Sequence, residues 1–204
     1  MVIFELQSDD INIIKHMNIA LTTYSTAIVF WLITEAWVGL RERGKVLKGK
    51  DMNSRNMVVI ASVIATYIGV TLSHKTFFPI LGNSTENFIL GAIIIVVGIS
   101  LRIWSVRTLG QFFRSTVMVQ EKHLVISHGP YKYVRHPSYS GVLIAILGVG
   151  IGTGNWLSLL VMFLLIFIGL LYRIKIEEKV LSTELGETYR NYMRHTKKLI
   201  PFVY

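Results

Sequence analysis

Five stretches of this 204-residue chain are almost wholly apolar, and they limit what it can fold into. They run from about Asn18 to Leu40, Met57 to Ser73, Phe88 to Val106, Tyr139 to Gly152 and Trp156 to Tyr172. A bilayer core takes about 20 apolar residues in a helix, and a helix satisfies its own backbone there. The blocks predict an all-α integral membrane protein with five transmembrane helices. The charged fraction agrees: 16%, against about a quarter in soluble domains.

The fourth block is short for a full span. Joined to the fifth by Gly152-Thr153-Gly154-Asn155, it predicts a tight helical hairpin. Glycines at 148, 150, 152 and 154 would let the two arms approach closely. They do not read as a nucleotide fingerprint, which needs a strand before it. Glu35 lies near the end of the first span, between Trp31 and Trp37, as suits an interface. Arg102, in the last turns of the third span, is expected to reach the interface by snorkelling. Residues 1–17 form a short amphipathic head expected on the membrane surface, acidic and unlike a signal peptide. The tail, 173–204, predicts a helix to about Leu185, a break at Gly186, a second short helix and a stop at Pro201.

The formal charge of +9 is placed by topology, not by nucleic acid. Loop 41–55 holds six lysines and arginines, segment 107–138 five and the tail seven, whereas 1–17 and 74–87 hold one each. Positive residues stay inside, so the N-terminus is expected outside, with the 107–138 loop and the C-terminus together on the cytoplasmic face. The absence of cysteine excludes disulfides, zinc–thiolate sites, iron–sulfur clusters and thiol catalysis.

One polar window interrupts the apolar second half: Gln120 to Gly141, QEKHLVISHGPYKYVRHPSYSG. It sets three histidines, three tyrosines, two prolines and Arg135 between two apolar blocks. Polar groups held at a membrane boundary mark function. The histidines lack HExxH-type spacing, so no metal site is expected. Arg173 and Glu177 are four apart and share a helix face; that spacing also suits a surface salt bridge. Pro137 equally suits the first turn of a helix, with Arg135 and His136 as interface anchors.

The window resembles the isoprenylcysteine carboxyl methyltransferase family of integral membrane methyltransferases. The likeness rests on YKYVRHPSYSG (131–141) with the upstream QEKHLVISHGP and LGQFF (109–113). It continues through RIKIEEKVL (173–181), LGETYRNY (185–192) and IPF (200–202). The resemblance implies a single membrane domain over 1–204, with three spans in 1–106 and a methyltransferase core in 107–204. It implies S-adenosylmethionine as methyl donor, in a cytoplasmic pocket formed by the 107–138 loop and the C-terminal helices. Carried over residue by residue, the donor contacts would be Gln120, His123, Leu124, Val125, Ile126, Tyr131, His136, Pro137, Ser138, Tyr139 and Glu177. Arg173 would orient the acceptor, with Arg135 and Glu178 as further contacts.

Residue chemistry agrees in kind. Aromatic faces attract a sulfonium, and a carboxylate pairs with an amino group or accepts from ribose. The implied reaction is methyl transfer to a lipophilic acceptor entering from the bilayer, with membrane lipids as neighbours and no nucleic acid. An acceptor carboxylate needs no base, since it is ionised at neutral pH. Transfer to an amine, thiol or hydroxyl of a phospholipid or other small lipophile remains open. So do a sterol-reductase-like oxidoreductase using NADPH and a non-enzymatic membrane adaptor.

Overall fold

A computed structural model describes residues 8–40, 52–76, 78–113 and 125–200. Its elements are α1 (Ser8–Leu40), α2 (Met52–Lys75), α3 (Ser84–Leu109), α4 (Pro137–Gly152), α5 (Trp156–Glu184) and α6 (Gly186–His195). Single 3₁₀ turns lie at Gly110–Phe112 and Gly129–Lys132. No strand occurs among the described residues, only the isolated bridges Pro79–Asn155 and Val134–Lys197.

Three of the described helices are long and apolar enough to cross a membrane: Asn12–Gly39 within α1, α3 and α5. α4 is apolar but has 16 residues, about 24 Å of helix against a core of about 30 Å. From Ser8 the head is continuous with the first span as one helix, α1. Beyond the apolar block that ends at Tyr172, α5 runs without a break to Glu184, as the helical tail to about Leu185 predicted.

The helices pack in the order α1, α3, α4, α5, α2. Ile95, Ile146, Met162, Ile166 and Leu170 fill the centre. Leucines, isoleucines and valines also cover the outside, Val29, Ile33, Ile93, Val97, Leu164 and Ile168 among them. An outer surface this apolar suits lipid rather than water. Hydroxyls inside the spans turn back on their own helix: Thr26, Ser62 and Thr66 each donate to the carbonyl four residues earlier, at 2.8 Å. That satisfies a donor where lipid offers no partner.

The helix starts are chemically marked. Asn83 caps α3 by accepting from Thr85 N at 2.9 Å, and Asn155 caps α5 by accepting from Ser158 N at 3.1 Å. Asn155 also donates to Thr76 O at 2.8 Å, while Trp156 N donates to Phe78 O. The α4–α5 turn is thereby tied to the linker after α2. Gly154 turns the chain at φ 68°, where a side chain would be strained.

The glycines serve a different contact from the one expected. A Cβ on Gly150 would meet Leu159 of α5, as the hairpin predicts. Gly148, however, faces Gly91 of α3, and Gly152 faces Tyr24 of α1. Gly141 faces Gly98 in turn, so α3 and α4 touch backbone to backbone at two points seven residues apart on each helix. This close pair positions the start of α4, where the polar window ends.

Candidate functional site

The site is built where the 131–136 segment, the first turn of α4 and the outer part of α5 meet. Pro137 opens α4 with φ already suited to a helix and no N–H to lose. His136 precedes it, buried, with its ring stacked on Tyr139 at 5.6 Å. One turn into α4, the Tyr139 hydroxyl donates to Glu177 Oε2 at 2.7 Å and accepts from Arg173 Nε at 2.7 Å. The guanidinium also lies 6.0 Å from the Tyr139 ring centroid. Arg173 and Glu177 do share a helix face, but the contact between them runs through a phenol from another helix. In place of the surface salt bridge that the spacing also suited stands a relay in which Arg173 is only 3% exposed and Tyr139 and Glu177 are half-buried.

Behind this relay sits a second cluster. Glu178 Oε1 accepts from Arg135 Nε at 2.9 Å and lies 3.3 Å from His136 Nε2; Lys198 Nζ is 3.7 Å from Oε2. Arg135 also donates through Nη1 to Met193 O at 3.1 Å and to Thr196 O. The backbone follows the side chains: Arg135 N donates to Lys197 O at 2.7 Å and His136 N to Lys198 O at 2.9 Å. Ser140 Oγ donates to Leu199 O at 2.6 Å. Arg135 and Glu178 therefore lash the C-terminal segment to the RHP turn. They brace the site and lie behind the relay.

Tyr131 is buried, and its carbonyl accepts from the Tyr192 hydroxyl at 2.7 Å. Burial pushes its hydroxyl well above the ordinary tyrosine range; Glu177 adds to that and Arg102 acts against it. Pro137 and Ser138 are buried, and Val125 and Ile126 are half-buried. Gln120, His123 and Leu124 lie outside the described residues. Among the described residues no group of three side chains could hold a metal ion.

Two residues that the sequence reading left out of the site belong to its frame. Arg102 does not snorkel. It is 9% exposed and donates Nη1 to Ser138 Oγ at 2.6 Å and Nη2 to Glu35 Oε2 at 2.7 Å. The signal was present: an acid and a base, each inside an apolar block, need partners of opposite charge.

Beside the polar cluster lies an apolar cavity of about 430 Å³ between α3, α4 and α5. Leu101, Trp104, Leu143, Phe163 and Phe167 form its sides, and Pro137 and Ser140 connect it to the RHP turn. Its volume falls in the range of small-molecule sites.

Residues present fit a sulfonium-bearing donor in their chemistry. Stacked aromatic faces at His136 and Tyr139 suit a cation. Glu177, half-buried on the same relay, suits an ammonium or a ribose hydroxyl.

Comparison with known proteins points to one family. The model of the isoprenylcysteine carboxyl methyltransferase (ICMT) family matches residues 90–183. That segment begins upstream of LGQFF and stops short of LGETYRNY and IPF. A probable protein-S-isoprenylcysteine O-methyltransferase of Oryza sativa subsp. indica is 27% identical over 183 residues, covering 85% of this chain and 96% of its own. The protein-S-isoprenylcysteine O-methyltransferase of Schizosaccharomyces pombe is 35% identical over 109 residues, covering 47% of this chain and 46% of its own. The solved structure of the eukaryotic intramembrane Ras methyltransferase ICMT superposes with a TM-score of 0.61 at 21% identity, over 90% of this chain and 67% of that one. At that identity the superposition speaks for the fold.

Proposed function

We infer that this chain, which matches the isoprenylcysteine carboxyl methyltransferase family over residues 90–183, belongs to that family and moves a methyl group from S-adenosylmethionine to the carboxylate of a prenylated cysteine or a similar lipophilic acid. The observation that carries the reading is the partly buried Arg173–Tyr139–Glu177 relay beside an apolar cavity. It sets a cation, an aromatic face and a carboxylate within one turn of the RHP segment.

In this reading 1–204 is one membrane domain with its core in 107–204. Five helices, α1 to α5, cross the bilayer. The basic loop, the polar window and the tail face the cytoplasm. The donor rests against His136, Pro137, Ser138, Tyr139, Tyr131 and Glu177, with Gln120, His123, Leu124, Val125 and Ile126 completing the pocket. The donor supplies an electrophilic methyl on a sulfonium, and the chain supplies positioning. Tyr139 holds Nε of Arg173, fixing the plane of a guanidinium whose fork matches a carboxylate. Glu177 holds the Tyr139 hydroxyl from the other side. The acceptor carboxylate is ionised at neutral pH, so no residue has to take a proton. What remains is alignment and the exclusion of water, which burial of the relay favours. The apolar cavity suits the lipid tail, reached sideways from the bilayer.

The test uses purified protein in detergent or nanodiscs. S-adenosylmethionine binding is measured by calorimetry, and methyl transfer is followed to a farnesylated cysteine derivative. Glu177→Ala is expected to abolish measurable donor binding while leaving the protein folded. Arg173→Lys keeps the charge but loses the fork, and is expected to lower kcat/KM for the acceptor about 30–100-fold with donor affinity unchanged. Wild-type protein that neither binds the donor nor methylates any lipophilic acid refutes the reading.

A further inference from the structure

α1 lies outside the segment that the family model matches, yet it reaches the site. Glu35, near the end of α1, meets Arg102 of α3 in an ion pair: Nη2 donates to Oε2 at 2.7 Å, and Nε lies 2.5 Å from Oε1 without the geometry of a hydrogen bond. The remaining nitrogen, Nη1, donates to Ser138 Oγ at 2.6 Å and lies 3.4 Å from Ser138 O. Ser138 is the second residue of α4, between Pro137 and Tyr139. One guanidinium thus spans from the α1 carboxylate to the turn that presents His136 and Tyr139. Side-chain exposure is 10% for Arg102 and 30% for Glu35. A buried charge at this depth needs its counter-charge, so the guanidinium's position depends on Glu35.

The backbone leaves this arm little room to shift. A Cβ on Gly141 would stand 2.9 Å from Arg102 N and 3.1 Å from Arg102 Cβ. α4 therefore presses directly on the residue whose side chain holds its first turn.

We propose that Glu35, acting through Arg102 and Ser138, is a positioning residue for the methyl-donor site. The inference rests on the donor-site reading given above. Its force is that α1 has a place in the chemistry, by orienting a turn it does not belong to.

The experiment compares wild type, Glu35→Gln, Glu35→Asp, Ser138→Ala and the double variant Glu35→Gln/Ser138→Ala. For each, the KM for S-adenosylmethionine, the KM for a farnesylated cysteine derivative, and kcat are measured separately. Glu35→Gln is expected to raise the donor KM about tenfold, the loss of one charged hydrogen bond, with kcat and acceptor KM within about twofold. Ser138→Ala is expected to raise the donor KM at least as much, since Ser138 also faces the donor in this reading, and the double variant to be no worse than Ser138→Ala alone, because Glu35 acts through Ser138. Glu35→Asp, which keeps the charge, is expected to recover part of the loss. An unchanged donor KM in Glu35→Gln overturns the inference, as do losses that multiply in the double variant. So does an equal fall in every constant, the mark of general destabilisation. Should Glu35→Gln not fold, Glu35→Asp decides, and an unchanged donor KM in it overturns the inference. Wild-type protein without donor binding overturns the donor-site reading and this inference with it; donor binding that Glu35 does not influence overturns this inference alone.

Discussion

Gly98→Ala puts one methyl group into the α3–α4 contact, and its consequence can be worked out from distances. An ideal Cβ at Gly98 would stand 2.5 Å from Ala145 N and 2.6 Å from Gly141 O. Ordinary contact begins at 3.4 Å, so the helices must part there by about 0.9 Å. Both obstructing atoms are backbone, so neither can rotate away. Overpacking usually costs about 1–3 kcal/mol, and an unyielding neighbour places this case at the upper end. The separation also reaches the Arg102–Ser138 bond one turn away. Stretched by the same amount from 2.6 Å, that bond leaves hydrogen-bonding range at about 3.5 Å and forfeits roughly 1.5–3 kcal/mol. Better helix propensity returns up to about 1 kcal/mol. The net is a loss of about 3.5–5 kcal/mol, or roughly 10–15 °C in melting temperature for a chain of this size. Thermal unfolding in detergent measures it. Gly39→Ala is the control, since nothing lies within 4 Å of the added carbon in α1; its melting temperature is expected to equal or slightly exceed that of wild type. The same preparations give the donor KM, which should rise for Gly98→Ala and not for Gly39→Ala. A Gly98→Ala protein melting within about 2 °C of wild type refutes the backbone contact as the element that sets α4.

Two further outcomes concern the C-terminal segment. Arg135→Ala leaves Glu178 buried with weaker partners and strands the carbonyls of Met193 and Thr196. Breaking a buried pair costs about 3–5 kcal/mol; with His136 and Lys198 still near Glu178, about 3 kcal/mol is expected. Proteolysis near residue 196 should accelerate while α5 stays protected, whereas Glu187→Ala, which breaks an exposed pair, should change nothing measurable. Alkaline pH acts on the same region. Burial, the largest influence, pushes the Tyr192 hydroxyl from 10.0 up to about 12, with Arg135 and Thr196 opposing it. The folded state thus keeps a proton that the unfolded chain releases. This contribution is complete below pH 10 and fades as pH rises towards about 12. Unfolding followed from pH 8 to 12 should show that decline, and Tyr192→Phe should make it shallower, with the buried Tyr131 and Tyr189 supplying the rest.

Much of this architecture was present in the sequence, for reasons that differ from element to element. The membrane helices follow from hydropathy, because lipid forces each span to be apolar along its whole length. The RHP turn and the 173–178 face were readable because their residues are close in sequence, and helix spacing alone sets Arg173 beside Glu177. Tyr139 between them was not readable, since nothing local brings α4 against α5 in that register. Glycine partners were misread for a related reason. Gly148 and Gly150 stand two residues apart, which turns them to different sides of α4, and only Gly150 faces its hairpin partner. The seven-residue spacing of Gly91 and Gly98 matches that of Gly141 and Gly148, and it carried the pairing. Arg102 was misjudged by its distance from the end of the block. A long side chain near a helix end snorkels when no anion is closer than water, and here Glu35 is closer. The two charges sit in different blocks, 67 residues apart. What decides their fate is their opposite sign within an apolar medium, where an ion pair joined to a serine is cheaper than two separate charges. A charge inside a span therefore states a demand that another span must meet, and in this chain the helix meeting it lies outside residues 90–183, the segment the family model matches.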